Sequence, residues 1–150
     1  MSENTTATVT VTRQSGYQFL VDFGALMPQL LADEPAPLGQ GSGPAPDQLL
    51  MAAVANCLSA SLLFSLQKFK QDPGTLQATA SLELGRNADK RLRVLSIQVK
   101  LSLGCAASEI EHLDRVLAQF EDFCTVSMSV RQGIAIQVQV LDGSGATIKG

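Results

Sequence analysis

The sequence has no tryptophan, one tyrosine, one histidine and three cysteines in 150 residues, and only 17% of it is charged. Each scarcity narrows the field. An odd number of cysteines cannot close completely into intramolecular disulfides, and no C-x-x-C pair or Cys/His cluster offers the spacing of a zinc site. No metal or cofactor is therefore expected. Eleven Lys+Arg against fourteen Asp+Glu give a formal charge of −3 and a pI of about 5.0. That balance speaks against a nucleic-acid partner. The short clusters Lys68/Lys70 and Lys90/Arg91/Arg93 have no interleaved aromatics and form no basic patch. The opening MSENTTATVT lacks a basic stretch followed by an apolar one, so no secretory signal is read and a cytoplasmic, reducing location is expected. Paired thiols in that environment are more often redox-active than structural.

What remains is a chain with 45% hydrophobic residues, enough for one domain over residues 1–150 with a real core. Thr-Val-Thr-Val-Thr from Thr8 alternates with period two, and after Arg13-Gln14-Ser15-Gly16 the pattern resumes as Tyr17, Phe19, Val21 and Phe23, which predicts a β-hairpin. The stretch Gly24 to Pro46 holds five of the six prolines and reads as a long surface loop. A long helix is expected from Asp47 to about Lys70, opened by prolines and stopped by Gln71-Asp72-Pro73-Gly74. Leu49 to Leu66 carries no charge, yet Asn56, Ser59, Ser61 and Ser65 and the lack of an aromatic belt argue against a membrane span. A central helix buried on most sides, by its own domain or a partner subunit, is the better reading.

Two strands follow, one with Leu76, Ala78, Ala80, Leu82 and Leu84 inward, the other from Arg91 to Leu103, with a turn over Gly85 to Lys90. Ser108 with Glu111 three residues on has the form of a capping box, opening a helix with Ile110, Leu113, Val116, Leu117 and Phe120 on one stripe and His112 on its polar side. A short turn or helix from Thr125 to Arg131 precedes a last strand with Ile134, Ile136, Val138 and Val140 on one face, and the tail after Leu141 is expected to fray. Hairpins without regular βαβ alternation predict an α+β fold with antiparallel strands. The run Gly39-Gln40-Gly41-Ser42-Gly43 lacks the Lys-Ser/Thr of a phosphate loop.

The cysteines carry the most specific signal. Gly43-Pro44-Ala45-Pro46-Asp47-Gln48-Leu49-Leu50-Met51-Ala52-Ala53-Val54-Ala55-Asn56-Cys57 resembles the first signature of the OsmC/Ohr family, and Cys124-Thr125-Val126-Ser127 resembles that family's Cys-Pro-Val-Ser, with Thr125 in place of proline. The resemblance extends over nearly the whole chain. It implies an intertwined homodimer whose long helices pack together, and thiol-dependent reduction of organic hydroperoxides. It makes Cys57 the peroxidatic cysteine, which passes through a sulfenic acid, and Cys124 the resolving cysteine. The disulfide would then be reduced by an external dithiol, in the family sometimes a lipoylated protein. Cys105 has no counterpart in those motifs.

A thiol in an apolar helix needs a cation or hydrogen-bond donor to ionise near neutral pH. In the family's hydroperoxide reductases an arginine held by a glutamate supplies it. Here Asp47 stands in place of glutamate, and Arg13, with Gly16 nearby, is the matching arginine. Ten helical residues rise roughly 15 Å, so Asp47 cannot touch Cys57 along one straight helix, and a site shared between subunits is expected. The alternatives are an OsmC-like protein with little peroxidase activity, or a binding protein for a small apolar ligand at the dimer interface, since fold alone does not decide function.

Overall fold

The computed structural model describes residues 3–133, 137–142, 144 and 146–149. They divide into two compact units, residues 3–55 with 79–100 and residues 56–78 with those from 101 onward. The fold is α+β, with antiparallel sheets and one long central helix.

In the first unit β1 (Thr10–Ser15) and β2 (Gln18–Asp22) form the expected hairpin, pairing Val11 with Val21 and Arg13 with Phe19. The stretch read as an uninterrupted loop contains a third strand, β3 (Leu30–Ala32), which pairs antiparallel with β2 through Leu20 and Leu31. Three residues are too few to show a period; their strand character comes from the β2 edge, a tertiary cause.

Immediately after β3 the Asp33 carboxylate organises the glycine-rich run. It accepts the N–H groups of Glu34 at 2.8 Å, Gln40 at 3.2 Å and Ser42 at 3.0 Å. These donors converge on the chain's own carboxylate. The Ser42 N–H holds the Asp33 pKa below its ordinary value, against the opposing effect of burial and with help from the Gln40 and Glu34 N–H groups and the Ser42 hydroxyl. The run needs glycine where it passes closest to backbone: a Cβ on Gly43 would collide with the Leu31 carbonyl, and one on Gly39 with the Glu34 carbonyl.

Asp33→Asn would set an NH2 group against these donors and is expected to lower the melting temperature by roughly 5 °C or more. Because the folded-state pKa is depressed, the stability Asp33 contributes is fully present above the unfolded carboxyl value of about 3.9 and is lost as pH falls through the folded one. Melts from pH 7 to pH 2 check this. The gap between wild type and Asp33→Asn should narrow only at the acid end, and an equal Tm at pH 7 would refute the assignment.

Helix α1 (Pro46–Lys68) begins one residue earlier than expected, where the Gln48 side chain reaches back to accept the Ala45 N–H at 2.9 Å. Asp47 in its first turn and Lys68 in its last complement the dipole. The helix is long and apolar enough to span a bilayer, with a mean hydropathy of 2.0 over its best window. Within this chain Val54, Leu58, Ser61, Leu62, Ser65 and Leu66 are buried along it, at spacings of three and four. Burial on most sides is not reached: Leu63 and Phe64 stay 37% and 52% exposed.

The second unit packs Leu62, Leu66, Ile110 and Val116 into a core, with Phe69, Leu76, Leu101, Leu103 and Phe120 around it. At the end of α1 the Lys68 ammonium lies 4.8 Å from the centre of the Phe123 ring, which meets Phe64 edge-on at 5.8 Å. Strands β4 (Leu76–Arg86) and β5 (Leu92–Leu103) pair as a hairpin. Leu84, expected inward, is exposed, and Gly85 takes the half-buried place against Leu95.

The second helix is shorter than its stripe suggests. A turn of 3-10 helix, Ala107–Glu109, comes first, and the cap is the Glu109 carboxylate accepting the Ala106 N–H at 2.8 Å, not Ser108 with Glu111. His112 then adopts a left-handed conformation, φ 59°, so α2 starts only at Leu113 and runs to Gln119. Another 3-10 turn, Phe120–Phe123, leads into α3 (Thr125–Gln132). Of the expected last strand, Ile134 and Ile136 lie outside the described residues. Val140–Leu141 forms β6 and pairs with β7 (Thr147–Lys149), so the tail expected to fray closes a small ladder.

Candidate functional site

Cys57, Ser61 and Ser65 recur every four residues on α1, a spacing that places them on one helix face. Ser61 and Ser65 are buried and Cys57 is partly so. Cys124 has no exposed surface and is the N-cap of α3, its backbone extended at φ −84°, ψ 96°. Its carbonyl accepts the Met128 N–H at 3.1 Å, closing the first turn. The N–H groups of Thr125, Val126 and Ser127 remain without intrahelical partners, as at any helix start. Ser127 donates to Cys124 Sγ at 3.4 Å, and the Val126 and Thr125 N–H groups favour charge on the Cys57 sulfur.

Cys57 and Cys124 are both free thiols and lie near enough for each to bias the titration of the other. The Ser61 hydroxyl reaches Cys124 as well. The Ser127 hydroxyl is buried beside that sulfur without a well-aligned hydrogen-bond partner, and the Ser65 hydroxyl is buried without any.

The environments of the two sulfurs push their titrations apart. Burial pushes the Cys57 thiol up, and the neighbouring Cys124 adds to the effect; the Val126 and Thr125 N–H groups pull the other way. Burial also opposes charge on Cys124, but the Ser127 hydroxyl, the Cys57 thiol, the Ser127 N–H and the Ser61 hydroxyl outweigh it and hold that thiol below its ordinary range. Interacting thiols of this kind lose their protons in two steps that belong to the pair.

Arg13 and Asp47 lie in the first unit with local partners. The Arg13 Nε donates to the Gly16 carbonyl at 2.9 Å across the hairpin turn, and the Asp47 carboxylate accepts the Gln48 N–H at 2.8 Å. Among the described residues the single salt bridge joins Arg131 to Glu121, so within one chain Arg13 and Asp47 do not pair. His112 stacks 5.0 Å from Phe69, and the Cys105 thiol donates to the Asp72 carbonyl at 3.8 Å. Neither belongs to the thiol site.

Sequence reasoning brought out both cysteines but missed Ser61 and the first turn of α3 as the donors around them. A signal existed for Ser61, four residues after Cys57 on a helix. The backbone donors had none beyond the cysteine's place just before a helical run.

The family model for OsmC-like protein matches residues 39–139. No curated protein sequence matches the chain. Among solved structures, an OsmC-like protein from Mycoplasma pneumoniae superposes with a TM-score of 0.70 at 13% identity, covering 88% of this chain and 91% of that one. The organic hydroperoxide resistance protein of Bacillus subtilis gives 0.63 at 18%, covering 85% and 91%. One described as an organic hydroperoxide resistance protein, from Legionella pneumophila, gives 0.65 at 18%, covering 85% and 92%. At these identities the superpositions establish a shared fold.

Proposed function

Because the chain belongs to the OsmC-like protein family, we propose that it is a thiol-dependent peroxidase for organic hydroperoxides, as the names of two similar structures suggest for those proteins. The observation that carries this reading is the pairing of two free thiols, Cys57 on α1 and Cys124 at the first turn of α3, near enough to bias each other's titration. Access supports the division of roles. Cys57 is partly exposed and Cys124 is not, so a peroxide meets Cys57 first.

The Cys57 thiolate attacks the terminal oxygen of the hydroperoxide. An S–O bond forms, the O–O bond breaks, and the departing alkoxide takes a proton to become an alcohol. Cys124 then attacks the sulfenic sulfur, displacing hydroxide that leaves as water, and a disulfide joins the two residues. An external dithiol, with a lipoylated protein as one candidate, restores both thiols in the cytoplasm. The balance is one hydroperoxide and two thiols to one alcohol, one water and one disulfide.

The reading includes a homodimer, supported by the exposed Leu63 and Phe64 on an otherwise apolar helix. In it Asp47 and Arg13 of the second copy would approach the thiols. A second reading, the same fold and thiols with little peroxidase activity, is favoured by the bond that holds Arg13 to its own turn. Consumption of cumene hydroperoxide with excess dithiothreitol separates the two. Steady turnover that rises with pH from 6 to 9 as the pair ionises is expected. Consumption no faster than dithiothreitol alone would favour the second reading.

A further inference from the structure

Helices that take a side-chain cap usually take it from an oxygen, whereas α3 takes its cap from a sulfur. The Cys124 Sγ accepts the Ser127 N–H at 3.4 Å, and Cys124 has no exposed surface, so bulk water does not compete for the sulfur. Ser127 is itself buried, and its hydroxyl, without a hydrogen-bond partner, leaves a donor unspent beside the cap. A neutral thiol is a weak acceptor and a poor cap. A thiolate is a strong one, because it meets a backbone donor at the positive end of a helix. Burial opposes charge on Cys124, yet the Ser127 side chain and N–H are among the groups that hold its thiol below the ordinary range. A disulfide sulfur carries no charge, and in that state the cap falls back to the weak kind.

We propose that Ser127 is a positioning residue for the redox step: its N–H holds the Cys124 sulfur as the cap of α3 in the dithiol protein, favours that state over the disulfide, and so keeps the Cys57–Cys124 disulfide easy to reduce. The inference rests on the disulfide of the proposed cycle. Glutathione serves as the probe for it. Two glutathione thiols supply two electrons and two protons, the protein S–S bond breaks, Cys57 and Cys124 return as thiols, and one glutathione disulfide forms. Where Cys124 then ionises, its proton passes to solvent and the cap is at full strength.

The full chain is equilibrated with mixtures of reduced and oxidised glutathione at pH 7.5, without peroxide, and the Cys57–Cys124 disulfide is quantified by thiol trapping and peptide mapping. Ser127→Pro deletes the N–H at a position whose ring meets no helical carbonyl, since the residue four before it precedes α3. The equilibrium should shift toward the disulfide roughly tenfold, equal to about 30 mV for a two-electron couple. The direction separates this role from a merely structural one. Damage to the site would hold the two thiols together less well and make the disulfide easier to reduce, the opposite shift.

A second measurement uses the wild-type chain, and decides alone if Ser127→Pro does not fold. The Ser127 amide should exchange with deuterated solvent roughly tenfold faster in the disulfide form than in the dithiol form, read by NMR. Equal protection in the two forms would overturn the proposal, as would an unchanged or opposite equilibrium in folded Ser127→Pro. Both expected shifts in a protein that consumes no peroxide would uphold it and count against the peroxidase reading alone.

Discussion

Cys57→Ser is expected to reduce kcat/KM for cumene hydroperoxide by at least about a thousandfold, a loss of roughly 4 kcal/mol in transition-state stabilisation. The reason is chemical. The reaction stores two oxidising equivalents on the attacking atom as a sulfenic acid, and a serine oxygen cannot hold them. Cys57 is only partly buried and the substitution exchanges sulfur for a smaller oxygen, so the fold should survive. Neither remaining thiol is placed to substitute. Cys124 is fully buried, and Cys105 is turned to the Asp72 carbonyl. Equal consumption by wild type and Cys57→Ser would show that the peroxide is reduced elsewhere.

Cys124→Ser should leave the first turnover in place and damage the later ones. Serine is a good N-cap, so the start of α3 should persist. The sulfenic acid would form at Cys57 and find no neighbouring thiol. With dithiothreitol, turnover should fall at least about tenfold, because resolution becomes bimolecular instead of occurring between groups already in contact. With excess peroxide and little reductant, Cys57 should proceed to sulfinic acid, which the dithiol does not reverse. Mass spectrometry reads it as two added oxygens on the Cys57 peptide. Sustained wild-type turnover without that product would remove Cys124 from the cycle.

The sequence reveals most where the pattern is long and local. Helix α1 and the first hairpin are legible because their apolar content or alternation extends over many residues, and the two cysteines because motifs surround them. Short elements are decided elsewhere. Strand β3 exists because β2 offers an edge to Leu30–Ala32, and the glycine-rich run is shaped by a carboxylate several residues upstream in Asp33. The start of α2 is misread in the sequence because Ser108–Glu111 has the form of a capping box, whereas the earlier cap, Glu109 on the Ala106 N–H, begins at an alanine that gives no such signal. The left-handed His112, which favours the earlier one, is a three-dimensional fact. At the site, the replacement of proline by Thr125 is visible as a departure.

In the proposed cycle Cys57 and Cys124 act as one redox pair on an organic hydroperoxide. One equivalent of cumene hydroperoxide added to the fully reduced protein, followed by trapping of free thiols and peptide mapping, tests it most directly. One alcohol released per chain, a Cys57–Cys124 disulfide within the same chain, and Cys105 still alkylated as a free thiol are expected. Unconsumed peroxide with all three thiols free, or a disulfide that includes Cys105, would contradict it.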